Sequence, residues 1–175
     1  MLKRKPNEKG FTLIEVIVTL ILVGITAALA GMWIVSVANG YVFAKMNAST
    51  VQKGQLALTR IAKELSAIQS ISAATGAGIT YTRPGSTLNS TSTIIISKSG
   101  NELQIKVDAA NPQALTDSVS GFTLQYCNDY DSINNTYTCG ETWVPTSRII
   151  EFTLTLTGAN NTPSIFTGRA TPRNL

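Results

Sequence analysis

The sequence predicts an α+β fold: a long N-terminal α-helix, apolar in its first half, packed against a small antiparallel β-sheet. Three observations predict it. Pro6 and Pro84 bracket 77 residues without proline, enough for one uninterrupted helix. Inside that stretch the hydrophobic pattern is first continuous and then helical in period. Beyond it come short β-branched segments separated by Gly, Pro, Asn and Asp, so helix and strand are segregated along the chain rather than alternating.

Residues 1–10 form a basic leader, with Lys3, Arg4, Lys5 and Lys9 against Glu8 alone, a net +3. No charge falls between Glu15 and Lys45, and residues 16–38 are almost wholly Ile, Val, Leu, Ala, Gly, Met and Trp. A helix needs about 20 apolar residues to cross a bilayer, so the segment 11–38 is expected to span one. Basic residues ahead of an apolar span are held on the cytoplasmic side, which sends the C-terminal part across. A mid-helix glycine costs about 1 kcal/mol relative to alanine, which makes Asn39-Gly40 a site for a bend. Residues 39–72 read as the amphipathic second half of the helix. Val51, Leu58, Ile61, Leu65 and Ile68 share one face, with Lys53, Arg60, Lys63 and Glu64 elsewhere. A helix from residue 11 to about 72 would be about 90 Å long at 1.5 Å per residue, so its N-terminal half is expected to project.

Residues 73–175 are expected to form a β-sheet globular domain. Gly76, Gly78, Pro84, Gly85 and a Ser/Thr/Asn-rich stretch read as a loop, with Gly76-Ala77-Gly78 a turn. Strands are expected at 93–97, 103–107, 122–126, 149–156 and 164–168, with a hairpin turn at Ser99-Gly100-Asn101. In the fourth, Ile150, Phe152, Leu154 and Leu156 alternate with Glu151, Thr153 and Thr155, giving one buried face and one wet face. The apolar stripe of the helix is expected to dock on the buried face.

Several function classes fall away. Residues 11–175 carry ten Lys/Arg against nine Asp/Glu, without the basic footprint of a nucleic-acid binder. The chain has no histidine, which excludes His-dependent triads, His-ligated zinc and imidazole acid/base chemistry. No paired carboxylates, P-loop or Gly-rich fingerprint stands in the sequence, so neither an enzyme nor a cofactor is expected. Asp129, Asp131, Asn134 and Asn135 offer oxygen ligands, but Ile133 stands at a ligand position of the EF-hand pattern and the central glycine is missing. A solvated acidic turn is the reading there, and no metal is expected. Tyr126, Tyr130, Tyr137 and Trp143 either form an exposed adhesive surface or pack under a loop, the commoner arrangement. Cys127 and Cys139, with eleven residues between them, suit one disulfide, which in an oxidising compartment would contribute about 3 kcal/mol; two free thiols are the alternative.

The string Lys9-Gly10-Phe11-Thr12-Leu13-Ile14-Glu15, after a short basic leader and before the apolar span, resembles the class III signal of type IV pilins and type II secretion pseudopilins. The resemblance runs from Lys3 to about Ile68 and is architectural beyond that. It implies the pilin fold, cleavage between Gly10 and Phe11 by a membrane-embedded prepilin peptidase, and N-methylation of Phe11 by the same enzyme. It also implies that Glu15 pairs with the Phe11 amine of a neighbouring subunit. Independently, a carboxylate inside an apolar span costs about 2.5–3.5 kcal/mol and needs a partner. Gly24, Ala27, Ala28 and Gly31 offer small surfaces for close helix approach. The partners implied are other pilin or pseudopilin subunits, the prepilin peptidase and the inner-membrane assembly platform. The location implied is the bacterial inner membrane, single-pass with a periplasmic C-terminal domain, and then a pilus or periplasmic pseudopilus. Many major pilins have a proline within this helix; here the neighbourhood reads Gly31-Met32-Trp33, which puts local melting in doubt.

The string Thr59-Arg60-Ile61-Ala62-Lys63-Glu64-Leu65, with Trp143 and Pro172-Arg173, resembles PilW-type minor pilins and J-type minor pseudopilins, which implies a subunit that primes assembly at the tip. The cysteine loop resembles the disulfide-bounded region of many major pilins and keeps that alternative open. A Sec signal peptide with Ala28-Leu29-Ala30 as its cleavage site, or an uncleaved anchor, would instead leave the β domain as a stand-alone binding module. Against the Sec signal stand Glu15 inside the apolar region and an apolar run that continues through Met32, Trp33, Ile34 and Val35.

Overall fold

The computed structural model of the chain describes residues 10–87, 89–128 and 137–173. One helix, α1 (Leu13–Ser66), precedes all the strands, which is the α+β order expected. The chain divides into two units between Ala44 and Lys45. In the first, residues 10–44 are exposed throughout, and α1 is long and apolar enough to cross a membrane by length and composition. Helix continues through Asn39 and Gly40.

In the second unit α1 packs on two antiparallel sheets. The first is a meander of β1 (Ser70–Thr75), β2 (Gly78–Pro84), β3 (Thr91–Ser99), β4 (Glu102–Val107) and β5 (Gln113–Thr116). The second is made of β6 (Val119–Asn128), β7 (Cys139–Gly140), β8 (Ser147–Thr157) and β9 (Pro163–Ala170), in the order β7-β6-β8-β9. Register explains the core. Ile150, Phe152 and Leu154 on β8 lie opposite Tyr126, Leu124 and Phe122 on β6, so both alternations turn one face inward, and all of these side chains are buried. On the meander, Tyr81 lies opposite Ile94 and Ile79 opposite Ile96, which in turn faces Ile105 on β4. Gly100, at φ +57°, makes the two-residue turn between Ser99 and Glu102, as expected of that hairpin.

Three expectations are corrected. The helix ends at Ser66, not near residue 72. The amides of Ala67 and Ile68 bond back to Glu64 and Leu65 in a tightened last turn, and the Gln69 amide bonds to the Thr82 carbonyl, which starts β1 along β2. The stretch read as a loop after residue 72 holds β1 and β2, because Gly76-Ala77 is the two-residue turn between paired Thr75 and Gly78. Pro84 closes β2 at its end, where its missing amide interrupts nothing.

The third correction concerns the helix face. Ile61, Leu65 and Ile68 are fully buried and Leu58 is partly buried against the core, but Val51 is exposed. The face turns inward through Thr50, Gly54 and Ala57 instead. The reason is close approach: a Cβ on Gly54 would run into the ring of Phe166 on β9. Gly54→Ala should therefore destabilise the chain by about 1–3 kcal/mol through overpacking. In a Phe166→Leu background the same change should be neutral or stabilising, because alanine is worth up to about 1 kcal/mol over glycine in a helix. Urea unfolding of the detergent-solubilised chain, followed by circular dichroism, measures both.

Candidate processing and assembly site

Gly10 and Phe11 are exposed and lie ahead of α1. The helix starts where the carbonyl of Thr12 accepts the amides of Glu15 at 3.1 Å and Val16 at 3.3 Å. Thr12 thus occupies the N-cap and Glu15 the third helical position, where a negative charge is favoured by the helix dipole. The Glu15 side chain is exposed and makes no ion pair or hydrogen bond among the described residues. Added Cβ atoms on Gly24 and Gly31 would meet nothing within 4 Å, so these small positions are open among the described residues. The arrangement is an exposed Gly-Phe step, then a lone carboxylate, then an apolar helical stretch that is exposed among the described residues. Cleavage after Gly10 would put a cationic amine four residues from Glu15, on the same end of the same helix.

Cys127 on β6 is bonded to Cys139, its register partner on β7. The oxygen-ligand candidates Asp129, Asp131, Asn134 and Asn135, with Ile133 and Tyr130, lie outside the described residues, as does the leader with Lys3, Arg4, Lys5 and Lys9. Of the aromatic group, Tyr126 is buried and donates to the Thr75 carbonyl at 3.2 Å, while Trp143 meets it edge-on at 5.9 Å. Those two pack beneath the surface rather than forming an adhesive face. Tyr137 lies under the Arg169 guanidinium at 5.2 Å.

Sequence reading missed one polar cluster. Glu64, placed off the buried face by the pattern, is 2% exposed and is the most deeply buried charged residue described. Its two oxygens are held by Arg60, one turn earlier on α1, and by Arg83 on β2, each at 2.9 Å. The Tyr81 hydroxyl donates to it at 3.4 Å. Burial, and the Glu64 charge beside it, push the Tyr81 phenol well above its ordinary range, so it remains a neutral donor. The cluster ties α1 to the meander, and within it the buried Arg83 Nε has no hydrogen-bond partner among the described residues. A signal was available, since residue 64 lies at the edge of the buried arc, about 60° from Ile61 around the helix, and stands four residues after Arg60.

A family model for the prokaryotic N-terminal methylation motif matches residues 5–31. A search of curated proteins finds no match to the chain. The matched span contains Gly10, Phe11, Glu15 and the first part of the apolar helix, so the chain carries a type IV prepilin-like signal. That motif marks a structural subunit rather than an enzyme, and implies peptidase processing and assembly with other pilin subunits.

Proposed function

We propose that the chain is a type IV pilin-like subunit, cut between Gly10 and Phe11, N-methylated on Phe11, and assembled through α1 into a pilus or secretion pseudopilus. The observation that carries this reading is the methylation motif running into an exposed apolar helical stretch, residues 13–44, whose one charge is Glu15. Before assembly the apolar helix holds the chain in the inner membrane with its β domain on the periplasmic side, the orientation favoured by the basic leader. On leaving the bilayer, the bare helix needs the helices of other copies as its new surroundings. Glu15 then pairs with the Phe11 amine of a neighbour, neutralising both charges and fixing register. The assembly platform and the prepilin peptidase are the remaining partners.

The 59–65 string with Trp143 and Pro172-Arg173 favours a minor subunit of PilW or J type that primes assembly at the tip. The Cys127–Cys139 bridge supports the second reading, a major subunit whose disulfide bounds a surface loop.

N-terminal sequencing and intact mass of the chain extracted from its native membrane test the maturation step. The expected result is a first residue of N-methylated Phe11 and a mass lacking residues 1–10. A chain starting at Met1 or at Gly31 would remove the filament reading and turn attention to the β domain as a binding module.

A further inference from the structure

Length alone leaves the depth of α1 in a bilayer open. Residues 16–44 carry no charge, about 43 Å of helix against a hydrocarbon core of about 30 Å. Two distributions along the helix remove that freedom.

The first is aromatic. Phe11 is followed by 21 residues without an aromatic ring, and then come Trp33, Tyr41 and Phe43. The aromatic-free stretch makes about 31 Å of helix, the thickness of the core. Trp33 is 76% exposed, and with Ile34, Val37, Ala38 and Tyr41 it lines one shallow apolar concavity on the side of the helix. Trp33 and Tyr41 are eight residues apart, about 12 Å along the axis, so their rings bracket a headgroup layer about 5–8 Å deep. Such rings are favoured at that level, with the apolar body towards hydrocarbon and the N–H or O–H towards water.

The second distribution is polar. Thr19 and Thr26, inside the aromatic-free stretch, turn their hydroxyls back onto carbonyls of their own helix, Val16 at 2.9 Å and Leu22 at 3.0 Å. Neither needs solvent. Ser36 and Asn39, beyond Trp33, are exposed, and their side chains make no hydrogen bond among the described residues. Both would be costly in hydrocarbon, whereas water and lipid oxygens satisfy them in the headgroup layer.

We propose that Trp33 and Tyr41 seat α1 in the lipid headgroup layer on the side of the membrane away from the leader, Trp33 at the edge of the hydrocarbon and Tyr41 at the aqueous rim. This rests on the membrane placement of the filament reading and adds the depth. With Trp33 at one edge, Glu15 is 18 residues away, about 27 Å, and lies inside the core. Phe11, ahead of the helix start at Leu13, lies beyond the opposite edge, so the Gly10-Phe11 step is presented at the membrane surface.

Quenching by brominated lipid tests it. Trp143→Phe leaves Trp33 as the one tryptophan of the full-length chain. That chain is reconstituted in phosphatidylethanolamine–phosphatidylglycerol vesicles containing phosphatidylcholine brominated either close to the headgroup or close to the chain end. Trp33 should lose more of its emission to the shallow bromines than to the deep ones. Trp33→Leu with Leu22→Trp moves the ring about 16 Å towards the middle of the span and should reverse that order. Trp33→Leu with Tyr41→Trp should lose less than Trp33 to shallow bromines and nothing to deep ones. Where Trp143→Phe disturbs the β domain, the emission difference between the unaltered chain and Trp33→Leu gives the same quantity. Stronger deep than shallow quenching of Trp33, no quenching of it by either lipid, or no reversal in the Leu22 variant overturns the proposal. The N-terminus of the native chain decides the filament reading separately. A start at Met1 removes that reading while shallow quenching of Trp33 still supports the lipid contact, and a processed Phe11 with deep quenching does the reverse.

Discussion

Replacing Arg60 and Arg83 together by Met should cost about 3–5 kcal/mol of stability, the largest loss expected from any surface-reaching pair in this chain. The asymmetry of the cluster decides which side to remove. Arg60 has 51% of its side chain exposed and Arg83 has 31%, whereas Glu64 has 2%. Without the carboxylate, the arginines can turn to water. Without the arginines, the carboxylate stays in the core with only the Tyr81 hydroxyl, so removing the cations is the more damaging change. Glu64→Leu added to the double variant should return most of the lost stability, because a leucine satisfies the apolar surroundings of Ile61, Leu65 and Ile68. Urea midpoints of the solubilised chain would measure both the loss and its recovery, and a double variant as stable as the original would show that the cluster is decoration.

That cluster also shows where sequence reading stopped. The division of the helix into an apolar and an amphipathic half was legible because charge is absent from one stretch and periodic in the next. The strands around residues 93–107, 119–128 and 147–170 were legible because β-branched alternation matched both the pleat and the burial. β1 and β2 were not, since Gly76, Gly78 and Pro84 are loop signals by composition, and only pairing reveals that the first lies in a two-residue turn, the second opens a strand and the third ends it. β5 is four residues with little β-branched content and exists by pairing with β4. Gly54 looks like a helix weakness and is a point of close approach, because Phe166 lies more than a hundred residues away in sequence. Likewise the meeting of Arg60 and Arg83 on Glu64 depends on the folded path of the chain. The N-terminal methylation motif was the easier part, because it is written in the local order of a few residues at one helix end.

Glu15→Leu should abolish filament assembly while leaving maturation and membrane insertion intact, and it separates the subunit reading from the anchored-module reading more sharply than any other change. In the bilayer the carboxylate is a liability of about 2.5–3.5 kcal/mol, so leucine makes the anchor more comfortable and the membrane pool should rise. An anchor that served only to hold a binding domain would be improved by that substitution. A subunit would be ruined by it, because nothing within the described chain uses Glu15 and its one proposed partner is the Phe11 amine of another copy. Losing a charge pair of about 3 kcal/mol lowers assembly by roughly a hundredfold, and the unpaired amine left behind worsens it. Glu15→Gln, which keeps hydrogen-bonding capacity without charge, should fall close to the leucine variant if the pairing is ionic. The measurement is the ratio of sheared filament to membrane-bound chain by immunoblot, with the N-terminus of the membrane pool sequenced in parallel. Filaments at the original level in Glu15→Leu, with Phe11 correctly exposed, would mean that α1 assembles by apolar packing alone and that the carboxylate was read wrongly.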